Sequence, residues 1–177
     1  RFHDGVLDPA ARLIVGSTAL DPAGLHEGNV LLRLEHDGAI TTLDTDLGIS
    51  NGLAFAPDGR TLYSVDSAAG ASFARGYDYE TGAVGARRIL VHIDDEGVEP
   101  DGLAVDADGG IWIALWGGGA LRRFTPDGAR DREVEIGVPH VTAIAFIGSQ
   151  LDDALVTTAM RDLDEDARAR FPDAGRV

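Results

Sequence analysis

The chain has 177 residues, 44% of them hydrophobic and 25% charged, enough for a sizeable packed core. Its formal net charge is −15, every basic residue is arginine or histidine, and cysteine is absent. This acidity argues against nucleic acid and anionic membranes as partners, because phosphate binding needs clustered cations, and the missing thiols exclude disulfides and thiolate metal sites.

Along the chain one unit recurs. Residues 4–16 give a short apolar strand, a polar turn and a second apolar strand. Residues 30–36 form a strand, His36-Asp37-Gly38 a turn, and residues 39–43 a strand. Residues 51–64 restart the unit. Residues 72–79 follow as a strand, Glu80-Thr81-Gly82 as a turn, and residues 87–93 as a strand. Residues 101–114, then 120–125, Pro126-Asp127-Gly128 and 133–136 repeat the plan, and residues 142–156 open it a fourth time. The Asp-Gly and Thr-Gly pairs supply the positive φ that tight hairpins require. A surface helix is expected over residues 162–170, with alternating charge.

The four unit starts, at residues 4, 51, 101 and 142, are 47, 50 and 41 positions apart. A period of ~40–50 residues with four strands per unit is the β-propeller signature. The expected fold class is therefore all-β, a propeller of four-stranded antiparallel blades. Residues 1–177 are expected to be one partial propeller domain, truncated at both ends, with about four blades of a six-bladed ring. No run approaches the ~18 apolar residues of a membrane span, and no signal-peptide pattern opens the chain. Cytoplasmic residence is expected, and the absence of cysteine fits it.

Asn51 and Asp101 occupy the same repeat position, where an innermost strand begins. In a propeller such positions converge around the central axis. An amide oxygen and a carboxylate there make a hard-oxygen site for Ca²⁺, Mg²⁺ or Mn²⁺, and Zn²⁺ can also use it. Asn-Gly and Asp-Gly are equally favoured turn pairs, so spacing alone leaves a turn role open. Asp4 aligns with both by repeat and is expected to be a structural turn residue. Trp116 opens a three-glycine loop suited to covering a ligand at the channel mouth. Trp112 is expected to pack, and His140 to be structural. His26, His36 and His92 show no ligand spacing. The sequence has no Gly-x-Ser-x-Gly elbow, P-loop or dinucleotide fingerprint.

Four motifs carry a resemblance that runs in order from Arg1 to about Ala174. They are Arg1-Phe2-His3-Asp4-Gly5 with Leu7-Asp8-Pro9, Ser50-Asn51-Gly52-Leu53-Ala54-Phe55, Glu99-Pro100-Asp101-Gly102-Leu103, and Ile111-Trp112-Ile113-Ala114-Leu115-Trp116 with its glycines. Together they resemble the senescence marker protein/gluconolactonase/regucalcin family. The resemblance implies a six-bladed propeller that hydrolyses a sugar lactone with one divalent metal ion in its channel. Ca²⁺ is the first expectation, with Zn²⁺, Mg²⁺, Mn²⁺ or Fe²⁺ as others.

It further implies that Asn51 and Asp101 are metal ligands and that Asp101 is also the catalytic base. The family's remaining protein ligand, a glutamate of its first blade, has no counterpart in this sequence. Arg1 matches the arginine of the family's substrate-binding Arg-x-Asn pair. His3 stands where the asparagine should be, a departure that leaves a hydrogen-bonding role, Zn²⁺ or Fe²⁺ ligation, or a structural role open. Asp21 falls where the family carries an acidic substrate-binding residue, usually glutamate. The expected partner is a small-molecule sugar lactone. A calcium-binding regulatory propeller and a non-catalytic interaction scaffold are the alternatives.

Overall fold

The computed structural model describes residues 1–19 and 28–177. The described residues form an all-β chain of antiparallel sheets plus one short helix. The first sheet runs β1 (Phe2–Leu7), β2 (Leu13–Ser17), β3 (Asn29–Leu34) and β4 (Ile40–Leu47), in that order. The second runs β5 (Ser50–Phe55), β6 (Thr61–Asp66), β7 (Ala71–Gly76) and β8 (Arg88–His92). The third runs β9 (Glu99–Val105), β10 (Ile111–Trp116), β11 (Ala120–Phe124) and β12 (Arg130–Glu135). A two-stranded sheet follows, β13 (Val141–Ile147) with β14 (Asp153–Thr158). Each four-stranded sheet is an antiparallel meander, its strands paired in chain order.

The first strands of successive sheets lie side by side, β1 next to β5, β5 next to β9, and β9 next to β13. The sheets pack face to face through separate apolar layers. Ile14, Leu31, Leu53 and Leu62 fill the layer between the first and second sheets. Val65, Leu103, Ile111 and Ile113 fill the next, and Ala114, Leu121, Val141 and Ile144 the third. β10, covered on both faces, reads as a continuous apolar run, whereas β12 is exposed along its whole length and reads as charges. A buried polar bridge also joins the first two sheets. The Asp8 carboxylate accepts from Arg12 Nε at 2.7 Å and from the Tyr77 hydroxyl at 2.6 Å.

The unit starts at residues 4, 51, 101 and 142 all lie inside strands, not in turns. A register shift interrupts the ladder at each one: between Phe2 and Gly5, between Asn51 and Leu53, opposite the Ile113–Leu115 step, and between Val141 and Ala143. Such bulges twist a strand and re-aim its side chains. The turn role left open for Asn51 and Asp101, and the turn role expected for Asp4, are thereby corrected.

The glycine after each of the two ligand candidates serves close approach. A Cβ on Gly52 would lie 2.7 Å from the Asp101 carbonyl oxygen and 2.8 Å from the Leu103 nitrogen. A Cβ on Gly102 would lie 2.6 Å from the Thr142 carbonyl oxygen. Backbone cannot yield as a flexible side chain can. Gly52→Ala is expected to destabilise the fold by about 2–3 kcal/mol, read as a lowered denaturant midpoint. An unchanged midpoint would contradict this packing.

Several boundaries differ from expectation, among them β4, which runs on to Leu47, and β7, which ends at Gly76; two others have a visible local cause. The helix begins later, as α1 (Glu165–Arg170), because Asp162 adopts φ 63° and Asp164 caps the first turn by accepting from the Ala167 N–H at 2.8 Å. The strand expected over residues 133–136 is β12, which starts at Arg130 because the turn at Asp127-Gly128 closes at once.

Candidate active site

The starts of β1, β5 and β9 open onto one cleft of about 580 Å³. Asn51 and Asp101 both line it, on neighbouring strands whose backbones nearly touch at Gly52. Arg1 and His3 line it from the first sheet, Trp116 from the end of β10, and Arg161 and Asp162 from the segment before α1. Asp21, the remaining expected substrate residue, lies outside the described residues, as does His26.

The local fold explains how these side chains are held. Asp66, at the end of β6, accepts from the N–H groups of Gly48 and Ile49 at 2.9 Å each, which pins the backbone just before Asn51. The Ser67 N–H donates to the Ile49 carbonyl at 3.1 Å. Asn51 is buried, and its Nδ2 donates to Ser67 Oγ at 2.9 Å. His3 Nδ1 lies 3.1 Å from the Ser50 carbonyl oxygen. A carbonyl only accepts, so Nδ1 carries the proton, and Nε2 is left for other contacts.

Asp101 dominates the electrostatics. Burial, with the negative charges of Asp4 and then Glu99 adding to it, pushes its carboxyl up to about 7 against a partial opposing effect from the Gly102 N–H. Asp4 is itself shifted upward by burial. Among the described residues none of these three carboxylates forms an ion pair. Asp101 and Glu99 thus bring carboxylates to the cleft with no ion-pair partner among the described residues, while Arg1, His3 and Arg161 line the same cleft.

The Asp101 carboxylate, with an oriented amide beside it, fits part of a hard-cation site. Asn51 and Asp101 are the residues that would hold such an ion. Among the described residues no group of three or more His, Asp or Glu side chains is gathered closely enough to hold a metal.

Trp116 ends β10, and its ring stacks on His140 with centroids 4.0 Å apart and planes 6° from parallel. His140 is buried, and its Nδ1 has no hydrogen-bond partner among the described residues. Trp112 packs as expected. Its Nε1 donates to Asp106 Oδ2 at 2.8 Å and its ring meets Phe146 edge-on. Residue-type reasoning did not single out Ser67, Glu99, Thr18 or Arg161 as lining residues. Glu99 was within reach, since it directly precedes Pro100-Asp101. Ser67 carried no sequence signal, because its position depends on how the end of β6 meets β9.

Comparison with known proteins adds the family. The family model for the SMP-30/Gluconolactonase/LRE-like region matches residues 1–160. The chain is similar to pentonolactonase XacC of Haloferax volcanii, 39% identical over 94% of this chain and 56% of that protein. It is also similar to regucalcin of Oryctolagus cuniculus, 35% identical over 100% of this chain and 60% of that protein. Among solved structures, a calcium-binding protein, regucalcin, from Agrobacterium tumefaciens superposes with a TM-score of 0.90 at 31% identity, covering 98% of this chain and 58% of that one. The chain thus spans less than two thirds of the length of these relatives. No described helix is long and apolar enough to cross a membrane.

Proposed function

The chain belongs to the SMP-30/gluconolactonase/LRE-like family, and from that membership we propose that it supplies much of the active centre of a metal-dependent sugar-lactone hydrolase. The observation that carries this reading is the cleft shared by Asn51, Asp101, Arg1 and His3. Its four sheets are read as an arc of a six-bladed ring, the ring forming a single domain and the cleft lying at one mouth of its channel. Cytoplasmic residence belongs to the same reading.

In this proposal Asn51, through its amide oxygen, and Asp101, through its carboxylate, would hold a divalent cation, with Ca²⁺ favoured by the calcium-binding relative. When bound, such an ion polarises the ester carbonyl of the lactone. A carboxylate oxygen of Asp101 takes a proton from the attacking water as its oxygen bonds to the carbonyl carbon. The ring C–O bond then breaks, and the proton passes to the departing ring oxygen, which gives the open hydroxy acid. Arg1 presents its donor fork to lactone oxygens, and His3 hydrogen-bonds ring hydroxyls through Nε2. Asp21 is proposed as an acceptor for another hydroxyl.

The test is acid release from a panel of aldonolactones by the full-length protein, with and without prior metal removal. Ca²⁺-dependent hydrolysis of at least one sugar lactone is the expected outcome. Ca²⁺ binding with no hydrolysis of any lactone would favour the regulatory reading instead.

A further inference from the structure

The two proposed ligands are linked through one buried hydroxyl. Ser67 Oγ lies 2.9 Å from Asn51 Nδ2 and 2.6 Å from the Pro100 carbonyl oxygen. Asn51, Ser67 and Pro100 are all buried, so each of these polar groups needs a protein partner. A carbonyl oxygen can only accept, and a serine hydroxyl has one proton to give. That proton therefore goes to Pro100, and the 2.6 Å separation suits an O–H···O bond. Toward Asn51 the serine oxygen is left with lone pairs alone. It can accept from Nδ2 but offers nothing to Oδ1. An amide turned end for end would place two acceptors 2.9 Å apart, or take the serine proton away from a buried carbonyl.

We propose that Ser67 is the positioning residue that selects the orientation of the Asn51 amide, with Oδ1 toward the cleft and Nδ2 away from it. The selection originates in the Pro100 carbonyl, one residue before Asp101, so the β9 strand that carries one ligand also fixes the donor atom of the other. The assignment rests on the proposed metal-binding role of Asn51 and Asp101. It explains how an amide, whose two ends are nearly equal in size, offers a cation only its oxygen.

Asparagine and aspartate respond differently to the loss of Ser67, which gives the test. In the full-length protein, Ser67→Ala is expected to weaken Ca²⁺ binding roughly tenfold by calorimetric titration, the cost of one buried hydrogen bond released. In an Asn51→Asp background both terminal atoms are oxygens and there is no orientation to select. There Ser67→Ala is expected to change Ca²⁺ affinity by less than about twofold. Equal losses in both backgrounds would make Ser67 a merely structural residue and overturn the proposal, as would no loss in either. A second readout needs neither the variant's stability nor any metal. The Asn51 side-chain amide resonance, identified by its disappearance in Asn51→Asp, is expected to show hydrogen exchange slowed well below that of exposed asparagines. Rapid exchange would mean that the NH₂ faces the open cleft and would overturn the orientation. A protein that binds no Ca²⁺ but keeps a protected amide would sink the hydrolase reading and leave the orientation standing.

Discussion

Asp101→Asn should remove about a thousandfold or more of lactone turnover while making the metal-free protein more stable at alkaline pH. The first effect follows from taking away the proton acceptor and a charged ligand together. The second follows from the environment of the carboxylate. Burial, Asp4 and Glu99 raise Asp101 from an ordinary value of 3.8 to about 7. The folded chain therefore binds a proton that the unfolded chain has already released between those two values. This group's contribution to stability is fully present below about 3.8 and is lost as pH rises through about 7. At pH 8 the charged carboxylate sits among like charges with no ion-pair partner among the described residues. Asparagine removes that repulsion at little change in shape.

The melting temperature of the metal-free variant is thus expected to exceed that of the parent by a few degrees at pH 8, about 2 kcal/mol after allowance for solvent screening, and by almost nothing near pH 4. Calorimetry at the two pH values, with chelator present, decides it. A variant less stable than the parent at pH 8 would mean that the carboxylate is compensated by a group in the full-length protein.

Asn51→Ala separates binding from chemistry. It removes a neutral ligand and leaves the Asp101 carboxylate in place. Ca²⁺ affinity should fall at least by the roughly 10- to 100-fold that losing an outer-shell partner costs. Turnover at saturating Ca²⁺ should recover most of the parent rate, because the proton acceptor remains. The Ca²⁺ dependence of the rate, fitted for parent and variant, checks this. A lowered maximal rate with unchanged Ca²⁺ dependence would place Asn51 against the substrate instead.

The repeated units were legible because each one writes its inner strand as an apolar run ended by Asp, Gly or Pro. The shared position of Asn51 and Asp101 in that repeat was enough to bring them to one cleft. Their glycines carried two meanings that composition could not separate. Gly52 and Gly102 look like turn residues, yet they sit in strands where neighbouring backbones leave no room for a Cβ. Ser67 illustrates what a linear reading misses, since its two partners are 16 and 33 residues away and meet only when β6 ends beside β9. The Trp116–His140 stack is similar, joining the end of β10 to the residue that leads into β13. The late start of α1 depended on the left-handed backbone of Asp162, which residue type alone does not dictate.

Anomalous scattering from a crystal of the full-length protein grown with Mn²⁺ asks the decisive question directly. One peak is predicted within about 2–2.6 Å of both Asn51 Oδ1 and a carboxylate oxygen of Asp101. A peak elsewhere, or a cleft in which those two oxygens address different groups, would contradict the shared cation on which the proposed hydrolysis depends.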